Sequence, residues 1–172
     1  MNPIKFNDEM VYLIFSGNKM QTRRPVKGLE GYSHVSADRV NDTEYVWRLV
    51  SEDGSFAFIH FPYKVGDRIS VDGPANGLSI IEVTDIRVER VQEIKEMDAI
   101  REGITKYSHE EVTLGIPSDI DGNFRDEDVR IFLNGSAIYA FRSLWDSLYA
   151  KKGFGWDANP WVWVIEFRRV KP

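Results

Sequence analysis

The segment Gly17-Asn18-Lys19-Met20-Gln21-Thr22-Arg23-Arg24 places an amine, a hydroxyl and two guanidiniums within six residues. These groups can hold and attack an anionic or carbonyl-bearing ligand. A lysine removed from water and set beside other cations has a lowered pKa, so it can take a proton from a threonine hydroxyl and make it a nucleophile. Arginine presents a planar fork that grips phosphate or carboxylate bidentately. The same residues also suit an exposed edge strand whose charges are solvated. In a regular strand Lys19, Gln21 and Arg23 face one way and Met20, Thr22 and Arg24 the other, so Lys19 meets Thr22 only where the chain turns or bulges. Gly17 and Asn18 both tolerate left-handed backbone angles and supply a place for such a bend.

Two further positions have the right chemistry. Glu102 ends a short helical pattern, where the helix dipole disfavours a negative charge by roughly 0.3–1 kcal/mol. It is either an ordinary exposed glutamate or a carboxylate aimed into a cleft to orient a lysine or relay a proton. Trp156 stands in a glycine-bearing loop and is open to a ligand. Trp145 belongs to an apolar helix stripe, and Trp161 and Trp163 share a strand face where core packing is the default and base stacking the alternative. Arg168, Arg169 and Lys171 form a basic tail that suits solvation.

The elements that must position these groups follow from periodicity and turn chemistry. Asp8 to Ser16 carries Met10, Val11, Ile14 and Phe15 at helical spacing and is followed by Gly17, which predicts a short helix with a glycine cap. Lys19 to Arg24 is then extended, ending before Pro25. Gly28 to Asn41 reads as loop. Thr43–Val50 and Phe56–Phe61 flank a turn containing Asp53-Gly54, which predicts a hairpin. Val65-Gly66-Asp67 turns into a brief strand, Arg68 to Val71, followed by irregular chain to Gly77. Ser79 to Arg90 predicts a long strand, and because neither of its faces is purely apolar, it must bend. Lys95 to Glu102 is a short helix ending at Gly103. Thr105 to Gly135 reads as an acidic insertion or lid. Ile138, Phe141, Leu144, Trp145 and Leu148 mark an amphipathic helix over Ala137–Tyr149, and Trp161 to Val170 is the final strand. Helices falling between strands without regular alternation point to an α+β protein, a small mixed β-barrel flanked by short helices.

Length and composition narrow the classes. The 172 residues suit a single domain. With no cysteine, disulfides, Cys-ligated zinc, iron–sulfur clusters and thiol nucleophiles are excluded. His34, His60 and His109 lie far apart with no partner at ligand spacing, so no metal site is expected. No glycine-rich nucleotide loop or nucleophile elbow is present, and no cofactor is expected. The first residues are charged without an apolar leader, and the longest strongly apolar run, Trp161 to Ile165, is too short to span a bilayer. A cytoplasmic setting away from membranes is therefore expected. The net charge of −5 argues against a protein that coats nucleic acid through a basic face. The charge is uneven, however. Residues 1–28 hold five cations against two carboxylates, and residues 91–130 hold eleven carboxylates against five cations. This pattern fits a solvated acidic loop or a phosphate-attracting pocket beside an acidic lid.

Several segments in order resemble the ASCH family of the PUA-like superfamily, in particular its phage and prophage type. They are Phe6-Asn7-Asp8-Glu9-Met10-Val11, Ser16 to Pro25, Val65-Gly66-Asp67-Arg68, Ile81-Glu82-Val83-Thr84, Asp98 to Gly103, and Trp156 to Phe167. The resemblance implies a small β-barrel with flanking helices and a cleft for RNA or a modified nucleoside. Some similar proteins are amidohydrolases that remove the acetyl group of N4-acetylcytidine with a lysine, a threonine and a glutamate. Those roles fall by motif on Lys19, Thr22 and Glu102: Thr22 attacks the acetamide carbonyl, Lys19 activates it, and Glu102 orients Lys19 or relays protons. Gln21, Arg23, Arg24 and Trp156 are the candidate ligand-binding residues. A non-catalytic RNA-binding or phage regulatory module is the alternative, with a ribonuclease behind it. The chain departs from similar proteins at Met20, where threonine is frequent, and at Ser70-Val71-Asp72-Gly73. It also carries additional segments at about 28–64 and 105–135.

Overall fold

The first helix is set by its caps. The Asn7 side chain accepts a hydrogen bond from Met10 N at 2.8 Å, Asp8 and Glu9 complement the dipole in the first turn, and α1 runs Asp8–Phe15. Gly17, at φ +79°, reverses the chain while the N–H groups of Asn18 and Lys19 both return to Leu13 O at 2.8 and 3.0 Å. The expected glycine cap is therefore present, and it delivers Lys19 back toward the body of the protein.

The computed structural model describes residues 4–29, 38–39, 46–51, 53–72, 78–104 and 126–170. Among these residues seven strands follow in chain order: β1 (Gln21–Pro25), β2 (Asp38–Arg39), β3 (Val46–Val50), β4 (Phe56–His60), β5 (Arg68–Asp72), β6 (Leu78–Arg90) and β7 (Trp161–Val170). They form two antiparallel sheets, one ordered β1-β7-β6-β5 and the other β2-β3-β4. The remaining helices are α2 (Glu96–Arg101) and α3 (Asp126–Tyr149).

The architecture is α+β, as the pattern of elements predicts. Among the described residues no strand pairing joins the two sheets, so they do not close into a hydrogen-bonded barrel. They meet through side chains instead: Trp163 of β7 contacts Trp47 of β3 edge-on at 4.9 Å and Phe61 at 4.8 Å. Two other expectations change. The segment read as loop from Gly28 to Asn41 contains β2, which pairs Asp38 with Arg48. Helix α3 is 24 residues long rather than short, and it starts inside the segment read as insertion. The rest of that insertion, 105–125, lies outside the described residues.

Both faces of the four-stranded sheet are covered. On one face Ile165, Trp163 and Phe167 pack with Val11 and Ile14 of α1 and with Trp47 and Leu49 of β3. On the other, Val162 and Val164 pack with Ala99, Ile104, Phe141 and Trp145 beneath α2 and α3. A strand buried on both faces reads as a continuous apolar run, which explains Trp161 to Ile165.

The bulge between Val83 and Asp85 divides β6. Before it, Val83 pairs with Phe167 and faces the first core. After it, Ile86 and Val88 pair with Ile165 and Trp163 and take over that face. A one-residue slip exchanges the faces of a strand. The bulge therefore turns Asp85, Arg87 and Glu89 away from the first core and onto the face beneath α2, where they pair with Glu166, Val164 and Val162.

Candidate functional site

Antiparallel partners share a sheet face, so the register of β1 sorts its side chains. Gln21 and Arg23 lie opposite Glu166 and Val164, on the face beneath α2 and α3, and Thr22 and Arg24 lie opposite Ile165 and Trp163, on the first core's face. Lys19 precedes the strand, and its side chain reaches the α2 side.

There Lys19, Arg23 and Glu102 converge. Their exposures are 2%, 1% and 4%. Lys19 Nζ donates to Glu102 Oε2 at 3.0 Å and to the Glu102 carbonyl at 2.6 Å, and Arg23 donates to Glu102 Oε1 at 3.2 Å. Arg23 also contacts Glu89 at 3.1 Å and Asp98 at 3.5 Å. With its amide oriented so that both ends are satisfied, Gln21 donates to Asp98 at 3.2 Å and accepts from Arg23. The Arg23 Nε is buried without an acceptor. Arg87 extends the network to Glu89, to Asp98 at 3.4 Å, to Glu166 at 2.6 Å and to Asp85 at 3.3 Å. Arg101 lies 3.8 Å from Glu166. Four cations thus meet five carboxylates.

Backbone geometry fixes Glu102. It caps α2, donating its N–H to Asp98 O at 2.8 Å, and Gly103 follows at φ +99°. A Cβ on Gly103 would stand 2.9 Å from Leu13 Cδ1 and 3.5 Å from Lys19 Cβ. Glycine therefore suits both the turn and the close approach of the Leu13 side chain, whereas the contact with Lys19 would be an ordinary one. Burial pushes the Lys19 ammonium below its ordinary pKa. The charge and hydrogen bond of Glu102 oppose that shift, while Arg24 and Arg23 add to it.

Glu102 also lines a cleft of about 360 Å³. Its other walls include Met10 and Leu13 of α1 and Tyr139, Ser143 and Ser147 of α3. The three α3 residues are spaced by four and form a polar ridge on one helix face. Among the described lining residues there is no Lys or Arg. The phosphate-attracting pocket expected from the basic N-terminal segment is therefore not what the cations build. Lys19 and Arg23 are enclosed by carboxylates, and Glu102, whose carboxylate those cations hold in place, is one of the residues that line the cleft.

No protein-family model and no curated protein matches the chain. Among solved structures, it is similar to a DUF984-family protein from Enterococcus faecalis V583, at 12% identity and a TM-score of 0.49, over 95% of this chain and 68% of that one. It is also similar to an ASCH domain from Lactobacillus crispatus JV V101, at 12% identity and a TM-score of 0.47, over 98% of this chain and 77% of that one.

Of the sequence-derived candidates, Lys19, Glu102, Arg23 and Gln21 come together. Thr22 does not join them: it is buried on the opposite face of β1, and the bend at Gly17 turns Lys19 toward Glu102 rather than toward Thr22. Arg24, on that same opposite face, donates to Tyr149 Oη at 3.1 Å and to the Lys5 carbonyl at 2.8 Å, and stacks over Phe6. Trp156 packs against Phe141 and does not line the cleft. Sequence reasoning missed Glu89, Asp98, Arg87 and Glu166 as members of the network. The available signal was the charged run Asp85, Arg87, Glu89 on one parity of a strand whose earlier residues on that parity are apolar. Among the described residues no group of three or more His, Asp or Glu is arranged to hold a metal ion. None of the described helices is long and apolar enough to cross a membrane.

Proposed function

We propose that the chain is an ASCH-like domain that binds a nucleoside or an RNA segment, with the base entering the cleft between α1 and α3. The observation that carries this reading is Glu102, a residue lining the cleft, with its two carboxylate oxygens each anchored by a buried cation. A carboxylate has about four lone-pair sites, so each oxygen of Glu102 keeps one to accept from the donor edge of a base, such as the amino group of cytosine. The polar ridge of α3 supplies hydroxyls, and Tyr139 a ring, beside it. The sequence segments that resemble the ASCH family supply Lys19 and Glu102, which supports the same assignment.

A hydrolytic reading has one observation in its favour. Lys19 is desolvated, its ammonium is pushed down in pKa, and it touches Glu102, which is the arrangement of a general base. In that reading the pair acts on an N-acylated base, and Thr22, facing the other way, is the weaker of the three roles inferred from the motif.

Titrating the protein with cytidine and N4-acetylcytidine by calorimetry, and following acetate release, separates the two. Binding of either nucleoside that Glu102→Gln weakens at least tenfold is expected. If neither binds at millimolar concentration, the nucleoside reading fails. Acetate release lost in Glu102→Gln but kept in Thr22→Ala would assign hydrolysis to the Lys19–Glu102 pair, and loss in Thr22→Ala would restore the threonine nucleophile.

A further inference from the structure

The cleft between α1 and α3 has a direction. Gly103 lies against Leu13, near the end of α1, and its neighbours Glu102 and Ile104 line the cleft there. Before the start of α1, the Lys5 carbonyl shares the Arg24 guanidinium with Tyr149 Oη, so the C-terminal end of α3 lies beside the N-terminal end of α1. The two helices therefore flank the cleft in opposite directions. Tyr139 belongs to the Glu102 end, and Ser147 belongs to the Asn7 end. At about 1.5 Å of rise per residue, Ser143 and Ser147 follow Tyr139 at roughly 6 and 12 Å along one helix face.

The free valences along this ridge describe a ligand. Tyr139 is 58% exposed, and among the described residues its ring meets no other ring and its hydroxyl no hydrogen-bond partner. Ser147 donates its hydroxyl proton to Leu144 O at 2.7 Å, which leaves its oxygen as an acceptor. Ser143 makes no side-chain hydrogen bond among the described residues, so it is open both to donate and to accept. Asn7 commits its amide oxygen to Met10 N and keeps its amide donors. The charged residues among the described lining are Glu9 and Glu102, both acidic. A nucleobase offers a π-face to a ring, and a ribose offers neighbouring hydroxyls that each donate and accept. A phosphate monoester brings about two negative charges at pH 7, which two carboxylates without a cation oppose.

We infer that the cleft selects an unphosphorylated ribonucleoside, with Tyr139 stacking on the base and Ser143 and Ser147 reading the ribose hydroxyls. The inference rests on the nucleoside reading of the cleft, and between a nucleoside and an RNA segment it favours the nucleoside.

The test is calorimetric titration with cytidine, 2′-deoxycytidine and cytidine 5′-monophosphate. The proteins are the wild type, Tyr139→Ala, Tyr139→Phe, Glu9→Gln, Glu102→Gln and a double variant combining Ser143→Ala with Ser147→Ala. Loss of the stacking ring should make Tyr139→Ala about 5- to 100-fold weaker for cytidine, whereas Tyr139→Phe keeps the ring and should bind like the wild type. The wild type should hold 2′-deoxycytidine about 2- to 10-fold more weakly than cytidine, the worth of one hydrogen bond. The double serine variant should hold those two ligands alike. The monophosphate should bind at least about threefold more weakly than cytidine, with the gap narrowed by salt and by Glu9→Gln. Thermal melts should show that the ridge substitutions leave the fold intact. The inference is refuted if Tyr139→Ala binds cytidine as tightly as the wild type, if the ribose preference is absent or survives in the double serine variant, or if the monophosphate binds more tightly than cytidine. Any of these results with cytidine binding still weakened by Glu102→Gln leaves the nucleoside reading standing. Binding of none of the three ligands at millimolar concentration overturns both.

Discussion

Replacing Glu102 by glutamine keeps the shape of the side chain and removes its charge. In the native protein that charge faces the Lys19 ammonium at 3.0 Å and the Arg23 guanidinium at 3.2 Å, and all three side chains are more than nine-tenths buried. After the substitution Lys19 keeps the carbonyl of residue 102, and Arg23 keeps Glu89 and Asp98. Removing one partner of a buried ion pair costs about 3–5 kcal/mol. Because Arg23 retains two carboxylates, the expected loss is at the low end, about 3 kcal/mol. At roughly 2–4 °C per kcal/mol for a domain of this size, Tm near pH 7 should fall by about 6–12 °C. The pH dependence has a definite sign. Burial already holds Lys19 below its unfolded value and Glu102 opposes that shift, so removing Glu102 lowers Lys19 further. Between the folded and unfolded values the unfolded chain binds the extra proton, so stability rises with pH in that window. The window opens at lower pH in the variant than in the wild type. Its deficit is therefore largest where Lys19 is protonated in both folded proteins and shrinks as the pH rises toward the lysine's ordinary 10.5, because the folded variant sheds the Lys19 proton first. Circular-dichroism melts of both proteins at pH 7 and in alkaline buffer measure this. A Tm change below about 2 °C at pH 7, or a deficit equal at both pH values, would show that Glu102 is not the charge partner of a buried lysine.

Gly103→Ala forces an L side chain into φ +99° and presses Leu13 Cδ1, so a loss of about 1–2 kcal/mol is expected from the urea midpoint, with weaker nucleoside binding as Glu102 shifts. Trp145 is buried and its indole N–H donates to Phe154 O at 2.7 Å. Trp145→Phe orphans that carbonyl and should lower the unfolding free energy by about 1–3 kcal/mol in the same assay. In the hairpin turn the hydroxyls of Ser51 and Ser55 and the Ser55 N–H hold the Asp53 carboxyl down to about 2. A carbon-13 titration should therefore find it ionised well below the ordinary carboxylate range, and a midpoint near 4 would contradict the turn geometry.

Much of the local structure is legible in the sequence because it rests on short-range chemistry. The α1 boundary follows from Asn7 and Gly17, the hairpin from Asp53-Gly54, and β7 from a continuous apolar run. The first part of α3 is not legible, because Asp126 to Gly135 has no clear apolar stripe. The site was legible as a set of residue types and not as an arrangement. Lys19 and Arg23 look like surface cations because their partners lie far along the chain, on β6 and at the end of α2. The bulge that brings Glu89 and Arg87 to them reverses the parity on which a strand reading depends. Thr22 sits three residues from Lys19 and shares its motif, yet pairing with Ile165 sends it to the other side of the sheet.

The position of β7 carries a consequence for how the protein is made. It is hydrogen-bonded to β1 on one side and β6 on the other, and each of its faces supplies residues to a different core. During synthesis, residues 1–160 leave the ribosome with neither core closed and with β1 and β6 each missing a neighbour. Only the docking of residues 161–170 lets both cores form, which joins folding across nearly the whole described chain and makes it slow by its topology. Until then Lys19, Arg23 and Glu102 have no enclosed site to occupy, so the ion-pair network and the cleft are acquired together, when β7 docks.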